Sequence, residues 1–133
     1  MKKLFGLALV IALSCSVKAQ SPGSIPQVVR AAFSTAYPDA TDVRWEKEKG
    51  NYEAEFRLPA SREMSVVYDA SGNLKETEQE IAFEQLPKPV QDAVAGKKVR
   101  ESARITDSSG TVTYEVEVKH RDVLFDVQVK RLN

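Results

Sequence analysis

Three sets of side chains in this 133-residue sequence are of types that could do chemistry. The first is a pair of acidic alternations, Glu53 with Glu55 and Glu115 with Glu117. Residues i and i+2 of a strand share one face, so each pair would bring two carboxylates together, as acid/base cleavage of a glycosidic bond requires. That chemistry also needs apolar surroundings that keep one acid protonated. Nothing apolar is placed beside either pair in the sequence, so a flat, solvated strand face is the stronger reading.

The second set is His120, the single histidine, in His120-Arg121-Asp122 between two strand patterns. Neither a second histidine nor a domain cysteine stands ready to complete a zinc set, and His120 reads as an exposed turn residue. No Gly-x-Ser-x-Gly elbow accompanies it, which removes the serine-hydrolase reading. The third set is Asp69-Ala70-Ser71-Gly72-Asn73. A calcium-binding EF-hand loop places its glycine at the sixth position and a glutamate at the twelfth. Here glycine arrives fourth, so the segment is a tight turn built by Asp and Asn side chains. A glycine-rich phosphate loop is absent as well. The expectation is a non-enzymatic chain with no cofactor and no metal.

The elements that must position these residues follow from hydrophobic periodicity. Ile25, Val29, Ala32, Phe33 and Ala36 form one helical stripe, with Ser24 as the expected N-cap and Pro26 in the first turn. Pro38 ends the helix. From Val43 the period becomes two: Val43 and Trp45, a loop over 47–50, then Tyr52, Ala54, Phe56 and Leu58. That loop length sets Trp45 opposite Tyr52. A third strand holds Met64, Val66 and Tyr68, and a fourth runs from Leu74 to Glu80.

The pattern then restarts. Leu86-Pro87 to Val94 echoes Ile25-Pro26 to Phe33, and Gly96 suits a helix C-terminus. Val99 to Asp107 is a strand, Tyr114 to Val118 matches Tyr52 to Phe56, and Arg121-Asp122-Val123 matches Arg62-Glu63-Met64. Val123, Phe125, Val127 and Val129 close the chain as a core-facing strand. A repeated order of helix, turn and strands at nearly constant offset indicates a duplicated unit. The fold class is therefore α+β: two tandem helix-plus-antiparallel-strand repeats, about 24–81 and 82–133, forming one continuous sheet with both helices on one face. Trp45, Tyr52, Phe56, Tyr114, Val116 and Phe125 are expected in the core. Glu53, Glu55, Arg57, Thr113, Glu115, Glu117 and Gln128 are expected on the open face, which is the candidate binding face.

The N-terminus reads as a secretory leader: Lys2 and Lys3, the apolar run Leu4 to Leu13, and small residues ending at Ala19. Its apolar run is too short to span a membrane. Cleavage after Ala19 makes 1–19 a signal peptide and 20–133 a single domain. The alternative is acylation at Cys15, the only cysteine, which would give an outer-membrane-associated lipoprotein. Losing Lys2, Lys3 and Lys18 with the leader leaves 16 basic against 19 acidic residues. These charges are interspersed, which argues against nucleic acid as a partner.

Val43-x-Trp45, Gly50-Asn51-Tyr52-Glu53-Ala54-Glu55-Phe56 and Val66-Val67-Tyr68-Asp69-Ala70-Ser71-Gly72-Asn73 together resemble the PepSY-like family. Val29-x-x-Ala32-Phe33-x-x-x-Tyr37-Pro38 precedes them in the same order. The family comprises small secreted or periplasmic bacterial proteins likened to β-lactamase inhibitors. The resemblance implies two α/β repeats with helices behind one sheet, and an exported binding or regulatory role toward an envelope or secreted protein, of a peptidase-inhibitor-like kind. A periplasmic sensor or accessory domain for a small ligand or metal is the alternative. The open face, mostly Glu, Thr, Arg and Gln, lacks the aromatic anchors of a tight inhibitor.

Overall fold

The computed structural model describes residues 24–60, 62–128 and 131–132. The leader, Cys15 and Val129 lie outside the described residues. In chain order the elements are helix α1 (Gln27–Ala36), strands β1 (Thr41–Glu48), β2 (Asn51–Leu58), β3 (Arg62–Tyr68) and β4 (Leu74–Glu80), helix α2 (Lys88–Ala93), and strands β5 (Val99–Asp107), β6 (Val112–Val118) and β7 (Arg121–Asp126). The seven strands form one antiparallel sheet in sequential order. Each strand pairs with its neighbour in sequence, so the sheet needs no crossover.

Each repeat buries its own helix stripe. Ile25, Val29 and Phe33 pack with Tyr52, Ala54, Phe56, Val66 and Tyr68. Leu86, Val90 and Val94 pack with Val116, Val118 and Phe125 in the second cluster. α2 has only six residues, too few for a helix to persist on propensity alone, so this packing holds it. In the first cluster Phe33 lies edge-on to Trp45 at 5.3 Å and to Phe56 at 5.0 Å. Tyr52, Phe56, Val116 and Phe125 are buried as expected, whereas Trp45 and Tyr114 are half-buried at the margins of the two clusters.

Four local expectations need correction. α1 begins at Gln27 with Pro26 at the cap position and no side-chain cap, so Ser24 does not cap it. The β1–β2 connection is a two-residue turn rather than a four-residue loop, since Glu48 pairs with Asn51. Lys49 (φ 49°) and Gly50 (φ 84°) both take the left-handed conformation, whose twist matches that of the paired strands. The shorter turn places Trp45 opposite Ala54, and Tyr52 faces Lys47, whose Nζ lies 5.4 Å from the Tyr52 ring centroid. At the C-terminal end β7 stops at Asp126, so Val127 is 62% exposed and Gln128 lies in the following turn rather than on the sheet face.

The fourth correction concerns the repeats. Tyr52 pairs with Tyr68 and Ala54 with Val66, while Tyr114 pairs with Phe125 and Val116 with Val123. Val66 therefore corresponds to Val123, not Met64 to Val123. The hairpin from Tyr52 to Tyr68 is five residues longer than that from Tyr114 to Phe125, so the match of Met64 with Val123 is two residues out of register. An even slip preserves the face of every side chain.

Two turns follow the Asp-based reading. Asp69 Oδ1 accepts the backbone N–H groups of Ser71 and Asn73, and Asp107 Oδ1 does the same for Ser109 and Thr111. Gly72 sits at φ +83°, and a Cβ there would lie 3.1 Å from the Val28 carbonyl oxygen. The β3–β4 turn thus touches α1 through a position that only glycine fills without strain.

Candidate functional site

The register puts Glu53, Glu55, Arg57, Glu115 and Glu117 on the sheet face opposite the helices. Glu53 pairs with Val67, Glu55 with Ser65 and Arg57 with Glu63, while Glu115 pairs with Leu124 and Glu117 with Asp122. The same parity carries β4 into this face. Glu78 stands between Ser65 of β3 and Ile105 of β5, and Glu76 between Val67 and Asp107. Ala103 lies between Glu80 and Glu115.

This face is neither flat nor fully solvated. Glu115 is 1% exposed and Glu78 8% exposed, although no helix among the described residues packs on this face. Apolar neighbours that sequence adjacency does not reveal stand beside them in the sheet. Glu115 has Ala103 and Leu124 at its two flanks, and Glu78 has Ile105 beside it. Register breaks at Thr41/Arg44, Val67/Tyr68 and Val99/Ser102 add twist and bend to the strands, which brings side chains of one face closer together.

The consequence is electrostatic. Burial, and then the charges of Glu55, Glu46 and Glu48, push the Glu53 carboxyl up to about 7, against a hydrogen bond from Ser65 that lowers it. Burial pushes Glu115 up to about 8, with Asp122, Glu76 and Glu117 adding to the shift. Glu78 rises to about 9, first from burial and then from Glu115, Glu53, Glu76 and Asp122. Glu78 and Glu115 act on one another, so charge on one helps to hold the proton on the other. Glu76 and Asp122 are also raised, mainly by burial.

Arg44 stands opposite Glu55 on this face, and two further cations pair with its acids. Arg57 Nη2 donates to Glu63 Oε1 at 2.8 Å. Arg100 Nη1 lies 3.6 Å from Glu117 Oε1 and 2.7 Å from His120 Nδ1. Guanidinium has no acceptor, so Nδ1 accepts in this contact. His120 Nδ1 also lies 3.8 Å from Glu117 Oε1, and the side chain remains exposed. Both Glu115 carboxylate oxygens, by contrast, are buried without a hydrogen-bond partner, as is Glu101 Oε2. Among the described residues, no group of three or more His, Cys, Asp or Glu side chains is placed to hold a metal ion.

Sequence reasoning thus found the acids of β2 and β6 and missed Ser65, Glu76 and Glu78. A signal for β4 was present: Glu76, Glu78 and Glu80 alternate in the same way.

The family model for proteins described as "Putative beta-lactamase-inhibitor-like, PepSY-like" matches residues 12–76 and 60–131. The chain belongs to the PepSY-like family. The two matches overlap over residues 60–76, the first containing one helix-and-sheet cluster and the second the other. A "BLIP-like" protein from Bacteroides fragilis is similar in structure, with 25% identity, a TM-score of 0.65, and coverage of 81% of this chain and 84% of that one. A DUF2874 family protein from Bacteroides ovatus gives 19% identity, a TM-score of 0.70, and coverage of 81% and 84%. A protein from Bacteroides eggerthii described as "putative periplasmic" gives 16% identity, a TM-score of 0.73, and coverage of 81% and 86%. The last two support the fold alone. No curated protein matches the chain.

Proposed function

We propose that this PepSY-like chain is a non-enzymatic, exported binding or regulatory protein of the cell envelope that uses the helix-free sheet face to hold a protein partner. One observation carries the reading: both helices pack on one side of the sheet, and the other side carries Glu53, Glu55, Arg57, Glu115 and Glu117 with no helix over them among the described residues. An unpaired sheet face bearing half-buried charge is a surface suited to being covered. The leader pattern and a structural relative described as periplasmic support the envelope location, and no helix among the described residues is long and apolar enough to cross a membrane. The family description supports the inhibitor-like character of the role.

The test is comparative capture from envelope extract with the mature chain, Gln20 onward. Wild type is set beside the paired reversals Glu55→Lys and Glu117→Lys, and beside Lys88→Glu on α2 as a control. A partner held by wild type and by the control, but lost by the reversals in a folded protein, supports the reading. A partner held equally by all three overturns it. Retention of a small molecule or metal in place of a protein would favour the sensor alternative.

A further inference from the structure

We propose that the sheet face turned away from the helices docks the basic surface of a protein partner, held by acids spread across the sheet rather than by a pocket. This rests on the binding-face reading and names the charge that its partner must carry.

The observation is a segregation of charge that the chain conceals. Along the sequence acids and bases are interspersed, and their totals nearly cancel. Strand pairing sorts them. Each of the seven strands places at least one acid on the open face, from Glu46 and Glu48 on β1 to Asp122 and Asp126 on β7. Among the described residues, the paired positions on the helix side hold no acid and carry Lys47, Arg104 and Arg121. α1, which covers that side, has Arg30 and no acid, and Lys97 and Lys98 are exposed shortly after α2. Successive strand residues point to opposite faces, so a base next to an acid in sequence, as Lys47 is to Glu46, lies behind it in the sheet.

The bases of the open face do not balance its acids. Arg44 and Arg57 stand opposite Glu55 and Glu63, and Arg100, in the register break of β5, pairs with Glu117. From β3 to β7 the paired positions of this face carry no base. Within it Glu115, 1% exposed, has both carboxylate oxygens unpartnered, and positive charge brought near such a group favours its ionised form. Glu78 and Glu115 are closed to solvent and are not contacts. The contacts fall on the half-buried acids around them, such as Glu76, Glu80 and Asp122.

The extent of the array fits a protein. Seven strands span six spacings, roughly 29 Å. Strands of six to nine residues make the face at least about 20 Å deep. The area, on the order of 600 Å², approaches the roughly 800 Å² that one partner gives to a standard protein–protein interface. A metal ion would engage one point of this array, and no three ligating side chains among the described residues are placed for it. Nucleic acid carries the same sign as the face and is repelled. A face of single sign steers an oppositely charged protein toward it and speeds association.

The experiment is a titration of the mature chain with Lys-Ser, Arg-Ser and Glu-Ser repeat peptides, followed by side-chain carboxyl and amide NMR shifts at 30 and 300 mM salt. Two variants of equal net charge are compared: Glu76→Lys with Glu80→Lys on the open face, and Glu84→Lys with Asp92→Lys around α2. Both basic peptides should bind and the acidic one should not, with shifts at Glu76 and Glu80 and little change in α1 or α2. Affinity should fall at least about tenfold at the higher salt. The open-face variant should bind at least about tenfold more weakly than the α2 variant. If those reversals unfold the chain, Glu76→Gln with Glu80→Gln replaces them, and a weakening of at least about threefold is expected. Equal loss in the two variants, salt-insensitive binding, or no binding at low salt by folded protein would each overturn the proposal. Displacement of the peptide by Ca²⁺ beyond the effect of matched ionic strength would overturn it in favour of a metal site. Salt-dependent self-association of the chain alone, seen in sedimentation, would overturn it in favour of a second copy stacked by its basic side. A captured partner lost by the Glu55 and Glu117 reversals, yet held without salt dependence by wild type, leaves the binding face standing and removes recognition by charge.

Discussion

Glu115→Gln should make the protein more stable in alkali, which is the reverse of what deleting a structural charge usually does. In the fold the Glu115 carboxyl is raised from 4.5 to about 8. A raised acid binds its proton more tightly in the native state than in the unfolded one. Between these two values the native state holds the extra proton, so stability must fall as pH rises. The contribution is fully present below about pH 4.5 and is lost by about pH 9. At about 1.4 kcal/mol per pKa unit, the loss is on the order of 5 kcal/mol, a large part of the roughly 5–15 kcal/mol that holds a domain together. Glutamine has nearly the same shape and no charge to desolvate. The wild-type and Glu115→Gln denaturation midpoints should therefore coincide near pH 5 and separate progressively toward pH 9. By then the variant should melt higher by roughly 15–30 °C. Urea unfolding followed by circular dichroism at pH 5, 6, 7, 8 and 9 measures this directly. Parallel curves for the two proteins would refute the burial of Glu115 as an uncompensated acid. A variant uniformly weaker at every pH would show that its carboxylate is satisfied by a donor instead.

Other perturbations probe separate parts of the structure. Phe56 is 3% exposed and packs edge-on to Phe33, so Phe56→Ala should cost roughly 3–5 kcal/mol in urea unfolding. Gly72→Ala must place a Cβ at φ +83° and 3.1 Å from the Val28 carbonyl oxygen, so it should lose at least about 1–2 kcal/mol, with amide exchange rising in the β3–β4 turn. His120 holds φ 62° in a two-residue turn. His120→Gly should gain several tenths of a kcal/mol to about 1 kcal/mol by relieving that conformation, because the exposed Arg100 contact it gives up is worth little. Asp122→Ser should lower the Glu115 carboxyl from about 8, seen in a carbon-detected NMR titration, and an unchanged midpoint would show that Asp122 does not act on it.

The fold was legible because the two periods are clean. Alternation in Tyr52, Ala54 and Phe56 and in Tyr114, Val116 and Val118 sets one face, and the stripes led by Ile25 and Leu86 supply its cover. The turns were legible only where the residue type dictates the geometry, as at Asp69 and Gly72. The β1–β2 register was missed because Lys49 adopts a positive φ that its side chain does not advertise. The candidate site was half legible. Parity assigned Glu53, Glu55, Glu115 and Glu117 to one face but said nothing of their burial, which depends on residues from other strands. Ala103 and Leu124 lie 12 and 9 residues from Glu115 in the chain and come to its flanks only through pairing. A polar strand such as Leu74–Glu80 likewise gives no local sign that Glu78 will be the acid that loses water.

Comparison of the two repeats explains why the acids differ. Glu53 and Glu115 occupy equivalent places, each one residue after the tyrosine that opens the paired core strand. In the first repeat the position diagonal to the acid on the next strand is Ser65, whose hydroxyl hydrogen-bonds Glu53 and opposes the upward shift. In the second repeat the register-equivalent position is Asp122, which supplies a second negative charge where the first repeat has a donor. Duplication produced the paired acids, and a single divergent position made one partly satisfied and the other orphaned. An orphaned acid beside an added acid is unfavourable for the isolated fold on both counts. Such a pair costs the second repeat stability that the first repeat, with Ser65 in the corresponding place, does not lose.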